Sequence, residues 1–346
     1  MRFHSLVCLL LTVNGATAFV PSVSRQQHPV FYSTVEADTD ASVNVASGNA
    51  VNGASSLSAA DVNSRLQAQL AKLREKDATS AKLSKEDIKV VFEDDHVIVV
   101  NKPAGVLSMS ADHPSLAQAV YDHFGSSLDR ADKMVVHRLG FDTSGLVILG
   151  KTAEAVRGMN TVFRTRKIER TYEALVCGHM EQASGIIHLP LMRDYEFPPF
   201  MRVSTEAHQQ ALLSLEGSDV SKKLLQLPKD SLTKYEVLGK EEVDGQPVTR
   251  VLLHSISGRT HQLNVHLAAM GHPIVGDATY GKGGSAAPNG GLTAAEQDQL
   301  LPNKSRASDS VQSALASKKT CVHAKSLKFR HPVTKEDVSL SVNTPF

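Results

Sequence analysis

The pattern of hydrophobic and polar positions along the 346 residues changes near residue 85. Before that point, residues 37–57 are mostly Ala, Ser, Val, Asn and Gly without periodicity, which is typical of a linker. One amphipathic helix is predicted at 58–76, with Ser58 as N-cap and basic residues in its last turn. After residue 85 short apolar runs alternate with turns, so we predict a helical extension at 58–84 and one domain at 85–346.

Within this domain the pattern predicts more strands than helices. Strands are expected at 90–92, 97–100, 134–136, 146–149, 172–177, 234–238, 250–255, at Val275 and at 339–342, and helices at 115–124, 153–164 and 261–270. Because strands and helices do not alternate regularly, the predicted fold class is α+β. Residues 281–319 are rich in Gly, Ala, Ser and Asn and are predicted to be an insertion of low order, with a turn of helix at 294–301.

The first residues have the pattern of a targeting leader. Residues 1–18 combine Arg2, an apolar core and a small-residue end, as in a cleaved signal peptide that is too short to span a bilayer. Phe19 then heads a Ser/Thr/Gln-rich segment, and this order resembles the bipartite plastid leaders of algae with secondary plastids. Residues 19–57 are thus read as transit peptide and linker, with plain secretion as the alternative. Only Cys177 and Cys321 remain after cleavage, which is no disulfide framework and fits a reducing compartment.

Charge is balanced overall but uneven locally. Residues 85–346 contain 30 basic and 30 acidic side chains, so any site for a polyanion must be a local patch. Residues 151–170 hold six basic side chains against two acidic ones. An isolated run of this kind would be a solvated helix face. This run follows a polar loop directly, and that position favours a surface that binds phosphates.

The polar loop is part of VVHRLGFDTSGLVILGKT, residues 135–152. Gly140 and the segment Asp142-Thr143-Ser144-Gly145 predict a tight turn between two strands, where glycine permits a positive φ. Active sites tend to occupy such loops.

This loop resembles the catalytic motif of the RluA-type pseudouridine synthases, H-R-L-D, two variable residues and T-S-G. Four further segments match that family in the same order: FEDDHVIVVNKPAG, IERTYEALVCG, SGRTHQLNVHLAAMGHPIVGDATYG and VHAKSLKFRHPVT. The resemblance implies a mixed, largely antiparallel sheet with flanking helices. It also implies isomerisation of uridine to pseudouridine in a structured ribosomal or transfer RNA, without cofactor or metal. We further expect the mature protein to be a monomer without a membrane.

The resemblance also assigns residues. In the family an aspartate is the nucleophile or proton acceptor, a tyrosine packs on the base and an arginine pairs with the aspartate. The uridine must leave its stack to react. Tyr172 and Arg259 match the tyrosine and the arginine. Residues expected to bind the substrate RNA are His137, Arg138, Thr143, Ser144, Gly145, Arg164, Arg166, Lys167 and Arg170.

Two positions depart from the family pattern. Gly140 stands at the nucleophile position, and Asn264 stands where a second arginine is usual. Asp142 is the only acid in the loop, and a turn opened by Gly140 could bring it to the nucleophile position. We therefore predict Asp142, Tyr172 and Arg259 as the catalytic residues. The alternative is a catalytically inactive RNA-binding or ribosome-assembly factor derived from this family.

Two other interpretations are weaker. A secreted hydrolase using Ser144, His137 and Asp142 lacks the sequence context of a nucleophile elbow. A zinc site formed by His261, His266 and His272 lacks suitable spacing and any joining Cys or carboxylate.

Overall fold

The computed structural model describes residues 57–215, 220, 224–301 and 305–346. The leader and most of the linker predicted above lie outside these residues. The helices are α1 (Ala59–Asp77), α2 (Leu116–Phe124), α3 (Ala153–Arg164), α4 (Glu206–Ser214), α5 (Gln262–Ala269), α6 (Ala294–Leu300) and α7 (Asp309–Leu315). The strands are β1 (Lys89–Glu93), β2 (Val97–Lys102), β3 (Ser144–Gly150), β4 (Ile168–Cys177), β5 (Ser184–His188), β6 (Leu191–Arg193), β7 (Met201–Val203), β8 (Leu232–Val243), β9 (Gln246–Ser255), β10 (Val322–Arg330) and β11 (Asp337–Ser341).

Nine of the strands form one sheet in the order β1-β2-β3-β10-β4-β9-β8-β5, with β11 on β10. Its pairings are antiparallel except between β3 and β10. Gly145 makes the parallel contact possible, because a Cβ at this position would collide with the backbone of Ala324. The predicted α+β class with a mixed, largely antiparallel sheet is therefore confirmed.

Apolar side chains pack on both faces of the sheet. On the α5 side, Val265 and Leu267 join Val251 and Leu253 of β9 in the largest core cluster. α2 is buried in a second cluster with β2 and β3, and α3 contributes Met159 to a third. These clusters fix the strand ends that carry the loops described below.

Helix α1 is integrated into the domain. Ser58 and Asp61 form a capping box at its start, as the sequence predicted for the N-cap. Val62 is fully buried against Met192, Leu212 and neighbouring apolar residues. The C-terminal end of α1 reaches Asp142 through Lys76.

Three predictions about local structure are wrong. Residues 134–136 are not a strand, because a 3₁₀ helix occupies Ala131–Met134 and only Val135 forms a bridge, to Leu149. Val275 is not in a strand either, although its backbone bonds to Leu175 and Cys321. The described part of the 281–319 insertion is ordered: it contains α6 and α7 and buries Leu292 and Leu315.

Candidate active site

The polar loop at 136–143 lies between the 3₁₀ helix and β3, and two side chains anchor its backbone. Ser108 Oγ donates to the carbonyl oxygen of Leu139 and accepts from the Leu139 N–H, at 2.8 and 3.0 Å. Lys102 ends β2, and its Nζ donates to the carbonyl oxygens of Val106 and Phe141, at 2.7 and 3.2 Å. The loop is thus fixed to the segment that follows β2.

Lys102 was missed as a site residue, although it lies in the quoted NKPAG segment. Its side chain is fully buried, and burial lowers its pKa to about 7 while nearby Asp142 acts in the opposite direction. A lysine at the end of a strand that begins with four apolar residues is the signal that could have identified it. Its role is to tie two loops together through backbone carbonyls.

The predicted tight turn at Gly140 is present, but it forms without a positive φ. Gly140 is not among the residues with positive φ, and the turn closes through the Thr143 N–H, which donates to the Gly140 carbonyl oxygen at 3.1 Å. Asp142 forms an ion pair with a residue outside the loop. Its Oδ2 lies 2.5 Å from Lys76 Nζ on α1, and the two side chains are 36% and 35% exposed.

A cavity of about 890 Å³ opens beside this loop. Its cationic lining consists of Arg138, Arg164, Arg166, Arg170 and Arg259, which come from the polar loop, the end of α3, β4 and the loop before α5. No Asp or Glu occurs among the described residues that line it. The cavity therefore favours a polyanionic ligand, and Asp142 is not part of its wall in this structure.

His137 braces the cavity wall. Its Nε2 accepts a hydrogen bond from the Ile148 N–H of β3 at 2.9 Å, and its ring stacks on Phe163 with 4.8 Å between centroids. Burial lowers the pKa of His137 to about 3, so the ring is neutral at physiological pH. This geometry gives His137 a structural role at the edge of the cavity.

Tyr172 and Arg170 lie side by side in β4 at the base of the cavity. Burial raises the pKa of Tyr172, so its phenol stays protonated. The guanidinium of Arg170 lies 5.7 Å from the ring centroid of Phe163 and makes only a long 3.5 Å bond to the Ser255 carbonyl oxygen. Within the described part of the chain the buried Arg170 Nε has no hydrogen-bond partner. An anion in the cavity could accept a hydrogen bond from this Nε–H group.

Arg259 is held by a network centred on Gln262. The Gln262 side-chain carbonyl accepts from the Ser257 hydroxyl and the Arg259 N–H, at 2.7 and 2.9 Å. Arg259 Nε donates to the carbonyl oxygen of Asp230, so the predicted pair between Arg259 and Asp142 is not formed here. Asn264, at the second departure from the family pattern, donates to Asp277.

The structure gathers most of the predicted site residues and separates the others. Those lining the cavity are His137, Arg138, Thr143, Arg164, Arg166, Arg170, Tyr172 and Arg259. Lys167 does not line it, and the buried Ser144 hydroxyl bonds to His323 Nδ1 at 2.8 Å within the sheet. Gly145 lies at the contact between β3 and β10. Thr260, which adjoins Arg259 in a polar segment where the sequence indicated an anion could rest, also lines the cavity. Ser255, Ser257 and Phe163 line it as well and were not predicted.

The histidines considered for zinc are occupied by protein groups. His266 bonds to Thr233 and to the Leu189 carbonyl oxygen, and both ring nitrogens of His272 lie near backbone carbonyls. Among the described residues, Asp194, Glu196 and His208 form one cluster with metal-binding atoms. The guanidinium of Arg202 lies 3.8 and 3.4 Å from its two carboxylates and provides the positive charge there.

Comparison with known proteins decides the family. The model for RNA pseudouridylate synthases matches residues 96–269, which include the polar loop, β4 and all of α5. The chain belongs to the RNA pseudouridylate synthase family. A relative from Pasteurella multocida (strain Pm70), a dual-specificity RNA pseudouridine synthase RluA, is 32% identical over 262 residues, which cover 74% of this chain and 93% of the relative. The RluA protein of Vibrio parahaemolyticus serotype O3:K6 (strain RIMD 2210633) is 40% identical over 194 residues, covering 55% of this chain and 68% of that protein.

Solved structures agree with this pseudouridylate synthase assignment. Human RNA pseudouridylate synthase domain containing 1 superposes with a TM-score of 0.53 at 26% identity, covering 77% of this chain and 87% of that chain. The described helices of the present synthase-family chain include none long and apolar enough to cross a membrane.

Proposed function

We propose that this protein is an RNA pseudouridine synthase that isomerises uridine to pseudouridine in ribosomal or transfer RNA. One observation carries the proposal: the cavity beside the family's catalytic loop joins Tyr172 to five arginines and excludes carboxylates from its wall. The RluA relatives, named as dual-specificity RNA pseudouridine synthases, support RNA as the substrate class. A uridine turned out of its stack would place its base near Tyr172 and its phosphates near the arginines.

Catalysis on this account uses Asp142. The carboxylate must leave Lys76 and turn toward the cavity, where Arg170 and Arg259 would stabilise its charged form. The Lys76–Asp142 pair is about one-third exposed, and such pairs contribute only about 0.2–1 kcal/mol to stability. Release is therefore inexpensive compared with the unstacking of a base, which requires a few kcal/mol.

Gly140 favours a second candidate function, RNA binding without isomerisation. A chain that keeps the basic cavity but has no carboxylate in its wall would still hold RNA during ribosome assembly. The two functions share the binding step and differ in whether pseudouridine forms. Asp142→Ala separates them, since it removes activity but leaves RNA affinity unchanged if Asp142 is catalytic.

The direct experiment is a pseudouridine map of organellar RNA with and without the gene, followed by single-turnover assays on the RNA that the map identifies. Loss of a pseudouridine site in the deletion, restored by the wild type and not by Asp142→Ala, supports the synthase. An unchanged map, together with RNA that co-purifies with the protein, supports the binding factor.

We further propose that the protein acts in a plastid as a monomer. The leader pattern of residues 1–57 supports this location, with Phe19 immediately after the expected cleavage site. A reporter fused to the leader should enter plastids, and Phe19→Ala should block entry. Secretion of the unaltered fusion would contradict the proposal. Sedimentation of the mature protein tests the monomer.

A further inference from the structure

A second cavity of about 220 Å³ adjoins the first. The two share Gly258, Arg259 and Thr260, which form the wall between them. A ligand that fills the first cavity and continues as a chain would therefore meet the second one next.

The lining of this second cavity combines cations with apolar side chains. Arg193, Lys229 and Arg259 supply positive charge, and no Asp or Glu occurs among the described residues that line it. Met201 and Leu191 supply apolar residues to the lining, whereas the side chain of Met192 packs against Val62 on the other face of the β6–β7 pair. Cations beside an apolar surface are what a nucleotide requires for its phosphate and its base.

Leu227 makes the apolar part unusual. Its side chain lies at this cavity and is 81% exposed, the largest exposure among the large hydrophobic residues that the structure describes. Lys229, two residues later, is also exposed, and its Nζ bonds only to the Gln226 amide oxygen at 3.0 Å among the described contacts. An apolar and a cationic side chain thus stand at the same cavity, and no protein group in the described part of the chain covers them.

We infer that this cavity binds the nucleotide next to the target uridine, with its base against Leu227 and Met201 and its phosphate near Arg193 and Lys229. The inference rests on the proposed function, because it assumes that the first cavity receives uridine. The volume is below the range of about 300–1,000 Å³ that encloses drug-sized ligands, so it fits one base and not a folded element. The cavity would therefore select RNA in which the target and its neighbour are both unstacked.

The test uses the pentaribonucleotide AAUAA as competitor against a fluorescein-labelled copy, with the full chain. Three analogues lack one base each: the central uracil, the base 5′ of it or the base 3′ of it. Removing one of the two flanking bases should weaken binding to the wild type about tenfold, equivalent to about 1.4 kcal/mol. To Leu227→Ser, the analogue that lacks this flanking base should bind as tightly as intact AAUAA. Leu213 is another exposed leucine but lies outside the cavity, so Leu213→Ser should behave as wild type.

Lys229→Ala should weaken binding of AAUAA, with Lys240→Ala as the matched exposed control. If removal of neither flanking base weakens binding to the wild type, or if Leu227→Ser keeps the whole flanking-base effect, the inference is overturned and the cavity serves another partner, such as a protein segment. If removing the central uracil has no effect, the proposed function fails instead. The two failures are thus read from different analogues.

Discussion

Replacement of Lys76 by Met should increase the rate of isomerisation. Lys76 Nζ lies 2.5 Å from Asp142 Oδ2 and 5.4 Å from the centroid of Phe141, so it holds the carboxylate outside the cavity. Methionine keeps most of the apolar stem and removes the charge. If the exposed ion pair contributes at most about 1 kcal/mol, its loss frees Asp142 and raises the rate by up to about fivefold.

The assay is single-turnover pseudouridine formation at saturating enzyme, so that changes in RNA affinity do not enter the rate. Lys72→Met is the matched control, because Lys72 lies one turn earlier on α1 and is exposed. Thermal unfolding should show only a small loss of stability for Lys76→Met, since surface pairs and exposed cation–π contacts contribute little. A rate that falls in Lys76→Met as it falls in Asp142→Ala would refute this reasoning, because Lys76 would then be needed for catalysis.

Three further predictions follow from individual contacts. Tyr172→Phe should bind RNA within about twofold of wild type, whereas Tyr172→Ala should lose about 1–3 kcal/mol of stacking in filter binding; equal losses would contradict stacking on the ring. Arg164→Ala should reduce the slope of log affinity against log salt by about one, and Lys167→Ala, outside the cavity, should reduce it less. The pKa of Lys102 is about 7 in the folded chain and 10.5 ordinarily, so between these pH values only the unfolded chain is protonated at this residue and stability rises with pH. Lys102→Met should remove up to about 1.4 kcal/mol per pH unit of this slope in urea unfolding at pH 7–9. An unchanged slope would contradict the buried lysine.

Local signals predicted much of this fold. The helix at 153–164 agrees with the structure at both ends, because Thr152 caps it and the apolar spacing is helical. The segment 134–136 failed because two β-branched residues suggest a strand, while the 3₁₀ helix takes up Met134 and leaves Val135 with a single bridge. The insertion looked disordered by composition, yet Gln297 bonds to the Ala269 carbonyl oxygen and anchors α6 on the core.

The site was less predictable than the fold. Motif order pointed to Tyr172 and Arg259, each from one short segment, and both line the cavity; their catalytic roles stay predictions. The direction of Asp142 could not be predicted, because it depends on Lys76 in a helix 66 residues earlier. The same holds for Ser144, whose partner His323 is 179 residues away. Contacts between distant segments, which no local pattern encodes, decide these side chains.

The most direct test of synthase activity compares wild type, Asp142→Ala and Gly140→Asp on one organellar RNA in the same single-turnover assay. Gly140 has no positive φ, and a Cβ there would meet only Thr143 Oγ1, at 3.3 Å, so an aspartate can be accommodated. We expect pseudouridine from the wild type and from Gly140→Asp, and none from Asp142→Ala. Pseudouridine from Gly140→Asp alone would contradict catalysis by Asp142 and leave the wild type as an RNA-binding protein.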